Sequence, residues 1–206
     1  MRNKIVILML GVLLSCGGLA QAAPITIEIT GEVTTFWDHT GFFNDISVGN
    51  VFTGTYTYDS STPNSDTFSP QRGTYLHNPP CGFNISLGGF EFKTVPSGQL
   101  GMQIWDNFNN VFDGYQVSSS ENVPLPNGAS YYVVSWTLDD YTHTALSSIA
   151  LPITAPVLSD WGVNSFGIGS GNSFAIGGIV TQAVLVPEPV TVTLMMAGVF
   201  LLRRRR

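Results

Sequence analysis

Polar and apolar residues alternate through most of the middle of the chain. Ile25, Ile27, Ile29 and Val33 fall on one face of an extended segment, with Thr26, Glu28, Thr30, Glu32 and Thr34 on the other. This is the period of a half-buried strand. Phe52, Gly54, Tyr56 and Tyr58 repeat it, and so do Phe83, Ile85 and Leu87, which lead through Gly88-Gly89 into Phe90-Glu91-Phe92. That pair of segments predicts a hairpin with a two-glycine turn. Residues 100–105, 115–119, 131–138, 163–168 and 174–184 predict further strands. About eight to ten strands separated by Gly, Pro and Asn clusters, with no helical period between them, predict an all-β fold. The expected architecture over residues 23–184 is an antiparallel β-sandwich or jelly roll, flanked by an N-terminal signal peptide and a short C-terminal transmembrane helix.

The pattern breaks at both ends. Arg2 and Lys4 precede an apolar run over residues 5–14 interrupted only by Gly11, and small residues follow as far as Ala23. That order is the order of a secretory signal peptide over residues 1–22. Ten helical residues rise only about 15 Å against a hydrocarbon core of about 30 Å, too short for a span. Ala20 and Ala22 put small side chains at the third and first positions before a cut ahead of Ala23. An alternative cut exists at Cys16, because Leu13-Leu14-Ser15-Cys16-Gly17 resembles a bacterial lipobox. Its use would produce an acyl-anchored lipoprotein.

At the other end, residues 185–206 hold Pro187-Glu188-Pro189, an uncharged apolar run over residues 190–202, and Arg203, Arg204, Arg205 and Arg206. Thirteen helical residues rise about 20 Å, so spanning requires a locally thinned bilayer and arginines that snorkel to the headgroups. Cations beside a span stay on the cytoplasmic side, which places the body of the protein outside. The prolines flanking Glu188 remove two backbone donors and keep the tripeptide extended just ahead of the membrane.

The tripeptide, the short apolar segment and the terminal arginines, with a signal peptide at the opposite end, resemble the PEP-CTERM class of exported bacterial proteins. The resemblance implies a sorting tail recognised by an exosortase, a membrane-embedded cysteine transpeptidase of the inner membrane that cuts near the tripeptide. It also implies a link to exopolysaccharide and biofilm production. Residues 47–75 are similar to a segment found in such proteins, with Val48-Gly49, Phe52-Thr53-Gly54, Tyr56-Thr57-Tyr58-Asp59 and Gly73-Thr74-Tyr75.

Charge sharpens the division into three parts. Charged residues make up 11% of the 206-residue chain, well under the usual quarter. All 14 acidic residues lie between positions 23 and 188, where Arg72 and Lys93 are the only Lys or Arg. Such a body repels nucleic acid and anionic surfaces. Cys81 is the one cysteine left after signal-peptide removal, so the body folds without an internal disulfide. Its place beside Pro79-Pro80 predicts a buried structural thiol.

Motifs that carry chemistry are sparse. The chain has no P-loop, no nucleophile elbow, no His-Glu-x-x-His and no paired zinc cysteines, and we expect no enzyme. His39, His77 and His143 are expected at the surface or in turns. Asp139, Asp140 and His143 would form a hydrolytic group only in a loop, because neighbours on a strand face opposite ways. Asp59, Asn64 and Asp66 bring oxygen ligands onto one Ser/Pro loop, where they could hold extracellular Ca²⁺ or simply cap turns. Trp37, Trp105, Trp136 and Trp161 could stack on sugar rings or fill a core. Two functions are therefore expected: an exosortase-sorted, non-catalytic surface or matrix protein, or a carbohydrate-binding module of the cell surface.

Overall fold

The computed structural model describes residues 24–187. These hold ten strands: β1 (Pro24–Asp38), β2 (Val51–Asp59), β3 (Arg72–His77), β4 (Gly82–Leu87), β5 (Phe90–Lys93), β6 (Leu100–Phe108), β7 (Phe112–Ser119), β8 (Val133–Asp140), β9 (Val163–Gly169) and β10 (Phe174–Leu185). One 3₁₀ turn, Leu158–Asp160, precedes β9. All pairings are antiparallel, in one sheet of order β3-β6-β7-β8-β9-β10-β1-β2-β4-β5. The fold class expected from the alternation is all-β, and it is found. Among the described residues no helix is long and apolar enough to cross a membrane. The expected signal peptide and terminal transmembrane helix lie outside them.

The sheet curls until β2 faces β7 and β8. Tyr56 on β2 shares a 2.8 Å hydrogen bond between hydroxyls with Tyr115 on β7, and its ring lies 5.9 Å from that of Trp136 on β8. Phe52 stacks on Phe166 of β9 at 4.3 Å. The inward series Ile27, Ile29, Val33 of β1 and Val134, Trp136, Leu138 of β8 are fully buried, as their alternation requires. One of the two buried tyrosine hydroxyls donates and the other accepts, so each oxygen has a partner away from water. Burial holds both phenols well above their ordinary range.

Both sheet edges are partly covered. Along β3, Ser65 N donates to the Thr74 carbonyl and Thr74 N donates to Asn64 Oδ1. Along β5, Val95 N donates to Glu121 O and Val123 N to Lys93 O. Loops thus occupy some of the donors and acceptors that an open edge would offer to another chain. Between β4 and β5, Gly88 and Gly89 have φ of 57° and 80°, the left-handed pair that a two-residue hairpin turn demands.

Several boundaries differ from expectation. Strand β3 has inward residues Gly73, Tyr75 and His77, and a series with one apolar member carries no hydrophobic alternation. Strand β8 begins two residues later than expected and runs to Asp140, so Asp139 and Asp140 lie on a strand.

Candidate functional site

Strand β10 delivers the end of the described chain beside its beginning. Ile27 pairs with Leu185, and Val186 N donates to Thr26 O at 2.9 Å, the last backbone bond of the strand pair. Pro187 follows, exposed. Glu188, Pro189, the four terminal arginines and Ala20, Ala22 and Ala23 lie outside the described residues, as do Cys16 and its lipobox. The junctions toward both expected targeting segments therefore leave from adjacent strands.

Pro24 also pairs with Asp59, where β2 enters the loop considered for calcium. There Asp59 Oδ1 accepts from Ser61 N (2.8 Å) and Ser61 Oγ (2.7 Å), and these bonds hold the carboxyl below its ordinary range. Asn64 Oδ1 accepts from Asp66 N and Thr74 N, both at 2.9 Å. Asp66 pairs with the Arg72 guanidinium, which holds its carboxyl low, and accepts from Phe68 N. Each candidate ligand thus has an oxygen engaged with its own loop or with β3. Among the described residues no three His, Cys, Asp or Glu side chains gather as a metal site.

A cleft of about 570 Å³ opens between this loop and the 78–81 turn, lined by Pro24, Asp59, Thr62, Leu76 and Cys81 among others. Cys81 is buried, as its neighbours predicted, and burial pushes its thiol up. His77 corrects the expectation of a surface or turn residue. It ends the inward face of β3 with no exposed area, and Nδ1 lies 2.7 Å from Thr62 Oγ1 while Nε2 has no partner. Burial lowers its pKa to about 4 despite the nearby Asp59 charge. Of the other two, His39 is exposed and His143 occupies a turn with φ of 61°.

Asp139 and Asp140 point to opposite faces of β8. Asp139 is outward and half-buried, and desolvation raises its carboxyl. Asp140 is inward and buried, and it is saturated: Oδ1 accepts from Thr142 N (2.8 Å), and Oδ2 accepts from Thr144 N (2.8 Å) and Ala145 N (3.1 Å). Donors from Thr144, Thr142 and Ala145 outweigh desolvation and hold this carboxyl far below its ordinary range. Its register partner Asp113 is also buried and accepts from Asn107 N (2.7 Å) and Leu146 N (2.9 Å). Asp113 escaped the sequence reading because its only signal is parity with Tyr115 and Val117. Together the two carboxylates fasten the start of the loop over residues 141–157.

The four tryptophans separate by position. Trp136 is fully buried and donates from Nε1 to Asn164 Oδ1, which removes it from any sugar-stacking role. Trp105 lies outward on β6 over Gly114, where a Cβ would come within 2.7 Å of its ring. Trp37 is 39% exposed near the end of β1, its ring 4.9 Å from that of His39. Trp161 follows the 3₁₀ turn, half-buried with its ring 6.4 Å from that of Tyr115. Comparison with protein families, with characterised proteins and with solved structures finds no match for this chain.

Proposed function

We propose that the protein is an exported, exosortase-sorted, non-catalytic component of the cell surface or extracellular matrix. It crosses the inner membrane behind a signal peptide, is held there by its short apolar tail, and is released or reattached after cleavage near Pro187-Glu188-Pro189. The observation that carries this reading is the position of Pro187. It stands exposed immediately after Val186, whose amide makes the last bond of β10 to β1, so the first residue of the tripeptide lies past the paired strands. A peptidase needs an extended, unpaired segment. The engagement of Asp59, Asp66, Asp113 and Asp140 with backbone amides agrees with a non-catalytic body. Facing β2 against β7 and β8 favours a two-layer, sandwich-like reading of the curled sheet.

The test separates two steps. Replacing Glu188 or either flanking proline should leave membrane insertion intact and make full-length protein accumulate there. Replacing Arg203, Arg204, Arg205 and Arg206 by Ser should weaken orientation and retention. Normal processing of the tripeptide variants in a host with an active exosortase would overturn the sorting reading. Mass spectrometry of the new N-terminus distinguishes a cut before Ala23 from lipidation at Cys16.

A second reading, carbohydrate binding, is favoured by one observation. Trp161 stands at the wall of an open polar cleft instead of in the core.

A further inference from the structure

We propose that the cleft between the start of the 141–157 loop and the 3₁₀ turn binds a neutral polysaccharide chain, with the Trp161 indole as the surface on which a sugar ring stacks. The proposal rests on the carbohydrate-binding reading and gives it a place. The cleft holds about 510 Å³, within the usual range for small-ligand sites. Thr142 and Thr144 form one wall, and Ser159, Asp160, Trp161 and Gly162 form the other. Trp161 also borders a smaller cleft of about 160 Å³ that includes Tyr115 and Leu146. The indole is thus seated against the core at Tyr115 while lining open space in two places.

Three features select the ligand. Hydroxyls of Thr142 and Thr144 donate to Asp140 and that of Ser159 to Asp160, which leaves their oxygens to accept from the hydroxyls of a sugar. The C–H face of a pyranose ring is apolar and complements an indole π face. Asp140 also lines the cleft, but its oxygens are held by Thr142, Thr144 and Ala145. Asp160 is different: the one side-chain bond its carboxylate accepts is from Ser159 Oγ at 3.3 Å, so it can accept from a sugar diol. No Lys or Arg lines the cleft, so a polyanion finds no counter-charge there and meets an acidic body.

Gly162 supplies an independent argument. Its φ is not in the left-handed region, and an added Cβ would meet nothing closer than the Asp139 carbonyl oxygen at 3.7 Å. Neither backbone conformation nor packing calls for glycine at this position. What its missing side chain leaves is room beside Trp161 on the cleft wall.

The full chain, purified in detergent, is run in native gels cast with dextran, galactomannan, xylan or β-glucan. Alginate gels supply a polyanion and chitosan gels a polycation. Retardation is expected in at least one neutral gel and in neither charged one. Trp161→Ala should weaken it at least tenfold. Because Trp161 also packs on Tyr115, Gly162→Val is the cleaner variant: it adds bulk to the cleft wall beside the indole, leaves the indole in place, and should weaken retardation as much while thermal unfolding stays that of the parent. Trp37→Ala, at a separate exposed indole, should bind normally. Undiminished neutral-glycan binding by Gly162→Val would overturn this site and leave the carbohydrate reading standing. Absence of binding in all four neutral gels would overturn both, and binding to chitosan alone would overturn the neutral ligand.

Discussion

Two loops of similar composition are fastened by different means. Residues 60–71 follow Asp59 at the end of β2, residues 141–157 follow Asp140 at the end of β8, and both are rich in Ser, Thr and Pro. After β8 the fastening is buried and spread over four strands. Asp140 and Asp113 hold the amides of residues 142, 144, 145 and 146, while Tyr58 and Tyr75 donate from their hydroxyls to Pro152 O and Ile149 O, each at 2.6 Å. After β2 Asp59 is half-buried and the Asp66 side chain is shielded against Arg72, and both bond mostly within their own loop. One buried group, His77, reaches that loop from the sheet. A buried carboxylate with several backbone donors can fix a long loop without disulfide or metal, whereas one bonded to an amide two residues on only shapes a turn.

Removing the buried anchor should have the largest effect. Asp140→Ala strands the amides of Thr142, Thr144 and Ala145, and we expect a loss of about 2–3 kcal/mol from bonds to a charged acceptor. Thermal or urea unfolding measures it. Proteolysis should also move into residues 141–157, because the loop loses its first fastening. A variant as stable as the parent would show that the hydroxyls of Tyr58 and Tyr75 suffice, and the contrast between the loops would collapse.

The difference between the two anchoring aspartates was legible in strand parity. Val134, Trp136 and Leu138 set the inward face of β8, and Asp140 continues that series. Asp59 falls out of step with Phe52, Tyr56 and Tyr58 and so faces away from the core. The hairpin at Gly88-Gly89 and most strands were readable for the same reason, since each carries two or more apolar residues at period 2. Strand β3 was not, because glycine and histidine occupy two of its three inward places. The saturation of Asp140 and the cleft at Trp161 were not readable either. They depend on amides and walls brought together by the fold, which alternation along one strand cannot encode.

Acid should loosen the loop after β2 at a higher pH than the loop after β8. His77 is neutral in the folded state, and its pKa of about 4 lies below the ordinary 6.5 because burial disfavours the cation. The unfolded chain therefore binds more protons between those values, and stability should fall as pH drops from 6.5 toward 4. Asp59, the nearby charge that opposes this shift, narrows the window without reversing it. Asp140 behaves differently, since its folded pKa is depressed below 3.8. Its contribution is complete above about 4 and is lost only as pH falls further. Unfolding temperature measured against pH should thus show a first decline that His77→Gln removes and a deeper acid decline that it leaves. A single decline unaffected by His77→Gln would contradict the assignment of His77 as the buried anchor of residues 60–71.

The smallest effect is expected from calcium at the exposed loop. A bound ion takes six to eight oxygen ligands and needs them to converge. Asn64 Oδ1 already bridges Asp66 N and Thr74 N, Asp66 faces the Arg72 guanidinium, and Asp59 caps Ser61. Binding at all three would require these bonds to open and a cation to settle close to Arg72, whose positive charge opposes it. We expect millimolar Ca²⁺ or EDTA to leave the unfolding temperature unchanged, and Asp66→Ala to cost far less than Asp140→Ala. A calcium-dependent rise that disappears in Asp59→Asn and Asn64→Ala would reverse the argument. The loop after β2 would then be held by a metal, and its carboxylates would be ligands whose turn bonds are the apo arrangement.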